Sequence, residues 1–240
     1  ESECRDQCDR FLAWAKQQRL RTSRLNDLEV TLVEMLNQMF YDGWRSNTAS
    51  KMAAAVAYFR PEAGLPLPWA AACLVARRLA QGGSWHMAAA VIFAFIHYLR
   101  PGELLRLREC DLTGARDETV LVDDVEEFAF LERLLARLRS SGGVQLVFPF
   151  SYREWAKGFE AAATAVGLVG DSLPVLYMLR HGGASHDAMT GARGLRDIQG
   201  RGRWMTERSV FRYKKGGRAN QPLHGLPEAV RRAADSAVQN

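Results

Sequence analysis

The residues whose types could do chemistry together are Arg100 followed by Glu103, Tyr177 followed by Arg180 and His181, and Trp204 followed nine residues later by Tyr213. A guanidinium offers a planar fork of donors that suits two oxygens of a phosphate or carboxylate at once. A Trp supplies one N–H donor, and a Tyr supplies a hydroxyl that ionises only near a pH of about 10. Taken singly, each has a plain structural explanation: an Arg100–Glu103 ion pair, a surface turn ahead of Gly182-Gly183, a core Trp, a surface Tyr among basic residues. The charge around them favours an anionic partner. From Arg180 to Arg232 there are twelve Lys or Arg against four Asp or Glu, whereas residues 101–140 hold ten acidic against six basic. The net charge of +5 is therefore weighted towards the C-terminal quarter, and Arg supplies most of it.

The order of these residues is more specific than any one of them. "YLRPGELLRL", with Arg100 and Glu103, resembles the first box of the tyrosine recombinases, the phage-integrase-like family. "YMLRHGGAS" resembles the second, with Arg180 at the second Arg position, His181 after it, and Tyr177 where the family usually has His. "GRGRWMTERSVFRYKK" resembles the final box, with a Cre-like Trp204 in place of the commoner His, then Tyr213. "DGWRSNTASKMAAAVAYF" resembles the end of the family's core-binding domain, so the likeness covers nearly the whole chain.

That resemblance implies a site-specific recombinase or integrase of a mobile element, which cleaves and rejoins double-stranded DNA through a phosphotyrosine bond. Attack on a phosphodiester builds charge on its non-bridging oxygens, which paired guanidinium groups hold by charge-assisted bonds. Arg100 and Arg180 are then the clamp, oriented by Glu103. Trp204, Tyr177 and His181 line the phosphate, and Tyr213 is the nucleophile. The bond energy is kept in the phosphotyrosine, so no ATP, metal or other cofactor is implied. The resemblance also implies DNA contacts from Ser46, Asn47, Thr48 and Lys51 in the first domain and from Arg201, Arg203 and Lys214 in the second. It implies a C-shaped clamp on the duplex and self-association into dimers or tetramers on DNA.

One departure bears on activity. Family members usually carry a Lys on a β-turn after the first box that protonates the leaving sugar oxygen. The five lysines here are Lys16, Lys51, Lys157, Lys214 and Lys215, and none lies between Arg100 and Arg180. Arg116 is a poor substitute, because a guanidinium rarely gives up its proton. The alternative reading is a catalytically weakened relative that binds DNA. A third, a helical protein-interaction module, rests on helical patterning alone.

The elements that must position these residues are mostly helices. Apolar residues recur at helical spacing through Phe11, Leu12 and Ala15, and again through Leu28, Leu32, Met35, Leu36 and Met39. Ser46 or Asn47 can cap a third helix that ends before Arg60-Pro61. "RPEAGLPLP", residues 60–68, is the linker, giving a core-binding domain at 1–62 and a catalytic domain at 69–240. Further helices are predicted in "WAAACLVARRLAQ", "WHMAAAVIFAFIHYL", "PGELLRLREC", "VEEFAFLERLLARLRSS", "SYREWAKGFEAAATAV", "LPVLYMLRHGGASHDAMT", "GLRDIQG" and "TERSVFRYKK", with one short strand in "ETVLV". The expected fold is mainly α: a helical, SAM-like core-binding domain and a mostly α tyrosine-recombinase domain with a small β element. The last helix, "LPEAVRRAADSAV", has a narrow apolar side, and by the same resemblance it docks on a neighbouring protomer.

No run approaches the roughly 20 apolar residues of a membrane span. The start, Glu1-Ser2-Glu3-Cys4, has neither an initiator Met nor a signal-peptide pattern and reads as an excised fragment. Cys4, Cys8, Cys73 and Cys110 are too scattered for a disulfide framework, and the Cys4/Cys8 pair lacks the second pair that a zinc site needs. A reducing, intracellular compartment is expected: the nucleus in a eukaryote, the cytoplasm or nucleoid in a bacterium.

Overall fold

Helices form where the apolar spacing predicts them, and the protein is mainly α. The computed structural model describes residues 2–60, 66–108, 146–169, 173–206, 210–211 and 228–238. The chain divides into two compact units, residues 1–65 and 66–240, and the division falls inside the Pro-rich segment 60–68.

In the first unit α1 (Ser2–Gln17), α2 (Leu25–Tyr41) and α3 (Ser46–Phe59) pack on one another. Their facing stripes bury Phe11, Leu28, Met39, Met52 and Val56, with Leu25, Leu32, Met35 and Leu36 against them. The predicted α2 stripe is thus the inner face, whereas Leu12 of α1 turns outward at 42% exposure. α3 begins at Ser46 itself, so Arg45 holds the position before its first turn that Ser46 or Asn47 was expected to hold. Lys51 on α3 is tied across to Glu3 on α1 at 2.7 Å.

The second unit is built round α5 (Trp85–Ile96), a helix apolar on nearly every side and buried from Ala88 to Val91 and from Phe93 to Phe95. Against it pack α4 (Trp69–Gln81), a one-turn α6 (Pro101–Leu104), α7 (Tyr152–Ala165) and α8 (Tyr177–Thr190). α7 starts where Ser151 caps it: the Ser151 Oγ accepts the Glu154 N–H at 3.2 Å, and the Glu154 carboxylate accepts the Ser151 N–H at 2.7 Å. α9 (Leu195–Arg201) follows α8 and packs on it.

The "PGELLRLREC" helix is shorter than its sequence suggests. Its single turn gives way at Leu105, and Arg108 pairs as an isolated antiparallel bridge with Leu146. That bridge is the β structure among the described residues. The predicted strand "ETVLV" and the helix "VEEFAFLERLLARLRSS" lie outside them, as does most of "TERSVFRYKK".

Gly182 and Gly183, which would serve a surface turn, sit instead inside buried α8. A Cβ on Gly182 would meet the Leu67 carbonyl oxygen at 2.1 Å, and one on Gly183 would meet the Phe95 carbonyl oxygen at 1.9 Å. Only glycines let α8 approach the end of α5 this closely, and that approach brings Arg180 to the chain just beyond α5. The last helix, α10 (Glu228–Val238), packs on α4.

Candidate anion-binding site

Three segments meet beyond the end of α5. In the first, Tyr98 takes φ 49, a left-handed conformation that costs a non-glycine residue about 1 kcal/mol. This sharp turn sends the chain from α5 into α6. Pro101 opens the α6 turn, and the Glu103 carboxylate reaches back to accept the Arg100 backbone N–H at 2.8 Å. The Arg100 guanidinium donates to the other Glu103 oxygen at 2.6 Å.

The second segment is the first turn of α8. Arg180 is only 1% exposed. Its Nη1 donates to the Tyr98 carbonyl and its Nη2 to the Gly202 carbonyl. A buried guanidinium must have its donors met, and these backbone oxygens meet two of them. Nη1 also lies 3.8 Å from the Glu103 carboxylate. One turn earlier, Tyr177 hydrogen-bonds Arg100 and stands edge-on to His181, with ring centroids 4.8 Å apart.

The third segment is the turn after α9. Arg203 also has a left-handed backbone, φ 51, and its Nη2 donates to Glu103 at 2.7 Å. Trp204 folds back over Gly202, where a Cβ would lie 1.9 Å from the indole. Its ring covers Arg180 at 4.6 Å and stacks on Tyr98 at 6.1 Å, while Gln199 Nε2 donates to its carbonyl at 3.0 Å.

Glu103 is therefore the hub of three guanidinium groups, from Arg100, Arg180 and Arg203, contributed by segments up to a hundred residues apart. Three formal positive charges against one negative leave a positive excess. Burial alone would raise the Glu103 carboxyl, but the Arg100 N–H and the Arg203 and Arg100 charges hold it below its usual range. For Arg100, burial works against the charged form and is outweighed by Glu103 and Tyr177, so the guanidinium stays protonated. The arrangement can bind an oxyanion and stabilise charge developing on it.

Beneath the site lies a second polar group that sequence reasoning missed. The buried Tyr98 hydroxyl donates to Asp187 Oδ2, which also receives Arg193 Nη1 at 2.5 Å. Burial first, then the Asp187 charge, push the Tyr98 phenol far above its usual range, so it stays a donor. A signal existed: Asp187 follows Arg180 by seven residues, two helical turns along the same face of α8.

The other expected site residues fall in different places. Arg201, expected on DNA, is 4% exposed, and its Nη1 donates to the Ile96 carbonyl at 3.1 Å and lies 3.2 Å from His97 Nδ1. Its charge holds the end of α9 to α5. Thr48 and Lys51 are on α3 of the first unit, as are the backbones of Ser46 and Asn47. Tyr213, Lys214 and Arg116 lie outside the described residues. Val210, three residues before Tyr213, is buried in one cluster with Tyr98, Ala184 and Ile198, and Trp204 packs against that cluster.

Among the described residues no group of three or more His, Cys, Asp or Glu is poised to hold a metal, and no helix is long and apolar enough to cross a membrane. The chain matches no protein-family model, no curated protein and no solved structure.

Proposed function

We propose that this protein is a DNA breaking-and-rejoining enzyme of the tyrosine-recombinase type, acting as a mobile-element recombinase or integrase. The observation that carries the proposal is the gathering of Arg100, Arg180 and Arg203 round the Glu103 carboxylate, with Trp204 over Arg180, from segments that sequence order alone had linked. Guanidinium groups in such excess over carboxylate suit a phosphodiester, whose two non-bridging oxygens share one negative charge.

In the proposed reaction the Tyr213 oxygen attacks phosphorus and the bond from phosphorus to the sugar oxygen breaks. The proton lost by the phenol is balanced by one taken up at the leaving oxygen. The guanidinium charges favour the phenolate and hold the charge that builds on the non-bridging oxygens. A second DNA hydroxyl then attacks the phosphotyrosine, rejoining DNA and releasing Tyr213. The first unit, through the Ser46–Lys51 turn of α3, and Lys214 in the second supply backbone contacts to the duplex, and copies of the chain associate on DNA.

The test is a pool of nicked, end-labelled duplexes of mixed sequence, in which loss of the short strand traps a covalent intermediate. A labelled adduct that survives denaturation in the native chain and is lost in Tyr213→Phe is the expected result. The absence of a Lys between Arg100 and Arg180 favours a second reading, a DNA-binding relative with weakened cleavage. Its signature is salt-sensitive retention of duplex without any adduct.

A further inference from the structure

We infer that Tyr98 is a positioning residue for the phosphate clamp, held along one face of α8 so that its backbone aims Arg180 and Arg100 together. The inference rests on the phosphodiester reading above and adds a residue that itself touches no substrate. Along α8, Gly183, Ala184 and Asp187 follow Arg180 by three, four and seven residues, which places all four on one stripe of the helix, about 10 Å long. Tyr98 lies on that stripe. Its carbonyl accepts Arg180 Nη1, its ring passes over Gly183, where a Cβ would stand 2.8 Å from Tyr98 Cδ1, and its hydroxyl donates to Asp187 Oδ2. Both ends of one fully buried residue are thus bound to one helix.

This grip fixes the direction of both guanidinium groups. A guanidinium carries five N–H donors in one rigid plane, so the Tyr98 and Gly202 carbonyls that hold Arg180 also decide where its other donors point. The Trp204 ring, which covers Arg180, stacks on the Tyr98 ring with the two planes 29° apart, so Tyr98 is the floor beneath the indole. Arg100 follows Tyr98 by two residues, and the left-handed φ of 49 at Tyr98 sets the direction in which the chain leaves α5 for it. Such a backbone persists in a tyrosine only where its surroundings over-determine it. Asp187 supplies that constraint from the far end: it is buried, and Arg193 Nη1 at 2.5 Å orients its carboxylate towards the phenol. Core packing alone would ask only for the ring, which Phe would supply.

The affinity of the full chain for inorganic phosphate, followed by phosphorus NMR line broadening at a temperature where each variant is folded by circular dichroism, tests the assignment. Tyr98→Phe keeps the ring and removes the hydroxyl, and it should raise the phosphate dissociation constant about tenfold, the scale of one misaligned charge-assisted bond. Asp187→Ala removes the acceptor instead and carries the same expectation. Asp187→Asn keeps an acceptor for the Tyr98 hydroxyl and should stay within about twofold of the native affinity. Val75→Ala opens a buried position of α4 and should leave the affinity unchanged, which separates lost stability from lost aim. Phosphate binding that Tyr98→Phe and Asp187→Ala leave unchanged, or that Val75→Ala or Asp187→Asn weakens as much as they do, overturns the inference. The measurement involves no strand cleavage. A chain whose phosphate binding depends on the Tyr98 hydroxyl but which forms no Tyr213 adduct therefore contradicts the recombinase reading alone. An adduct-forming chain whose phosphate binding ignores that hydroxyl contradicts this inference alone, and a native chain that binds no phosphate contradicts both.

Discussion

At Glu103, burial would raise the carboxyl, yet the Arg100 N–H and the Arg203 and Arg100 guanidinium groups hold it below the ordinary range. A depressed folded-state value means that the ionised carboxylate contributes stability at pH above its unfolded value of about 4.3, lost as pH falls through the lower folded value. Glu103→Gln should therefore destabilise the protein at neutral pH by about 2 kcal/mol in urea unfolding and flatten the acid side of the stability profile. An unchanged acid limb contradicts the hub. Tyr98→Phe should cost about 1 to 2 kcal/mol, because Asp187 keeps Arg193 but loses a buried donor. At this scale Arg100, Arg180 and Trp204 were legible from their order along the chain. Arg201 was not, because a charge in the sequence does not disclose whether its partners are phosphates or the Ile96 carbonyl. Tyr98 was hidden at the end of an apolar helix, where hydrophobic spacing explained it fully.

Among the elements, α8 matters most, because its glycines set the distance between Arg180 and the α5 end. Gly183→Ala places a methyl 1.9 Å from a backbone oxygen that cannot swing aside, so α8 must shift bodily. The expected cost is at least about 2 kcal/mol, with loss of anion binding, read by thermal melting and phosphate titration. Gly200→Ala, where a Cβ meets nothing within 4 Å, is the control and should leave both nearly unchanged. The helical period revealed α1, α2, α4, α5 and α7, where one wide apolar stripe meets one neighbour. It overestimated α6, because the Leu-rich run after Glu103 is buried in a turn and a bridge rather than along a helix. A Gly-Gly pair is normally a turn signal, and its use for close helix contact depends on what lies opposite, which one segment of sequence does not carry.

Over the whole molecule, the chain divides into two compact units within a Pro-rich segment, and the gathered guanidinium groups lie in the second. α10 packs on α4, although its narrow apolar stripe alone did not say which surface it would meet. Duplex binding should weaken steeply with salt, and neutralising Arg100 or Arg203 should each reduce the slope of log affinity against log salt by about 1. Unchanged slopes would place both groups away from phosphate. The proposed bond between Tyr213 and DNA is read most directly by digesting the denatured adduct from the nicked-duplex reaction and finding the modified peptide by mass spectrometry. The expected result is a nucleotide on Tyr213, absent when Arg100 is replaced by Gln. A nucleotide on any other residue, or none in a chain that binds the same duplexes, contradicts it.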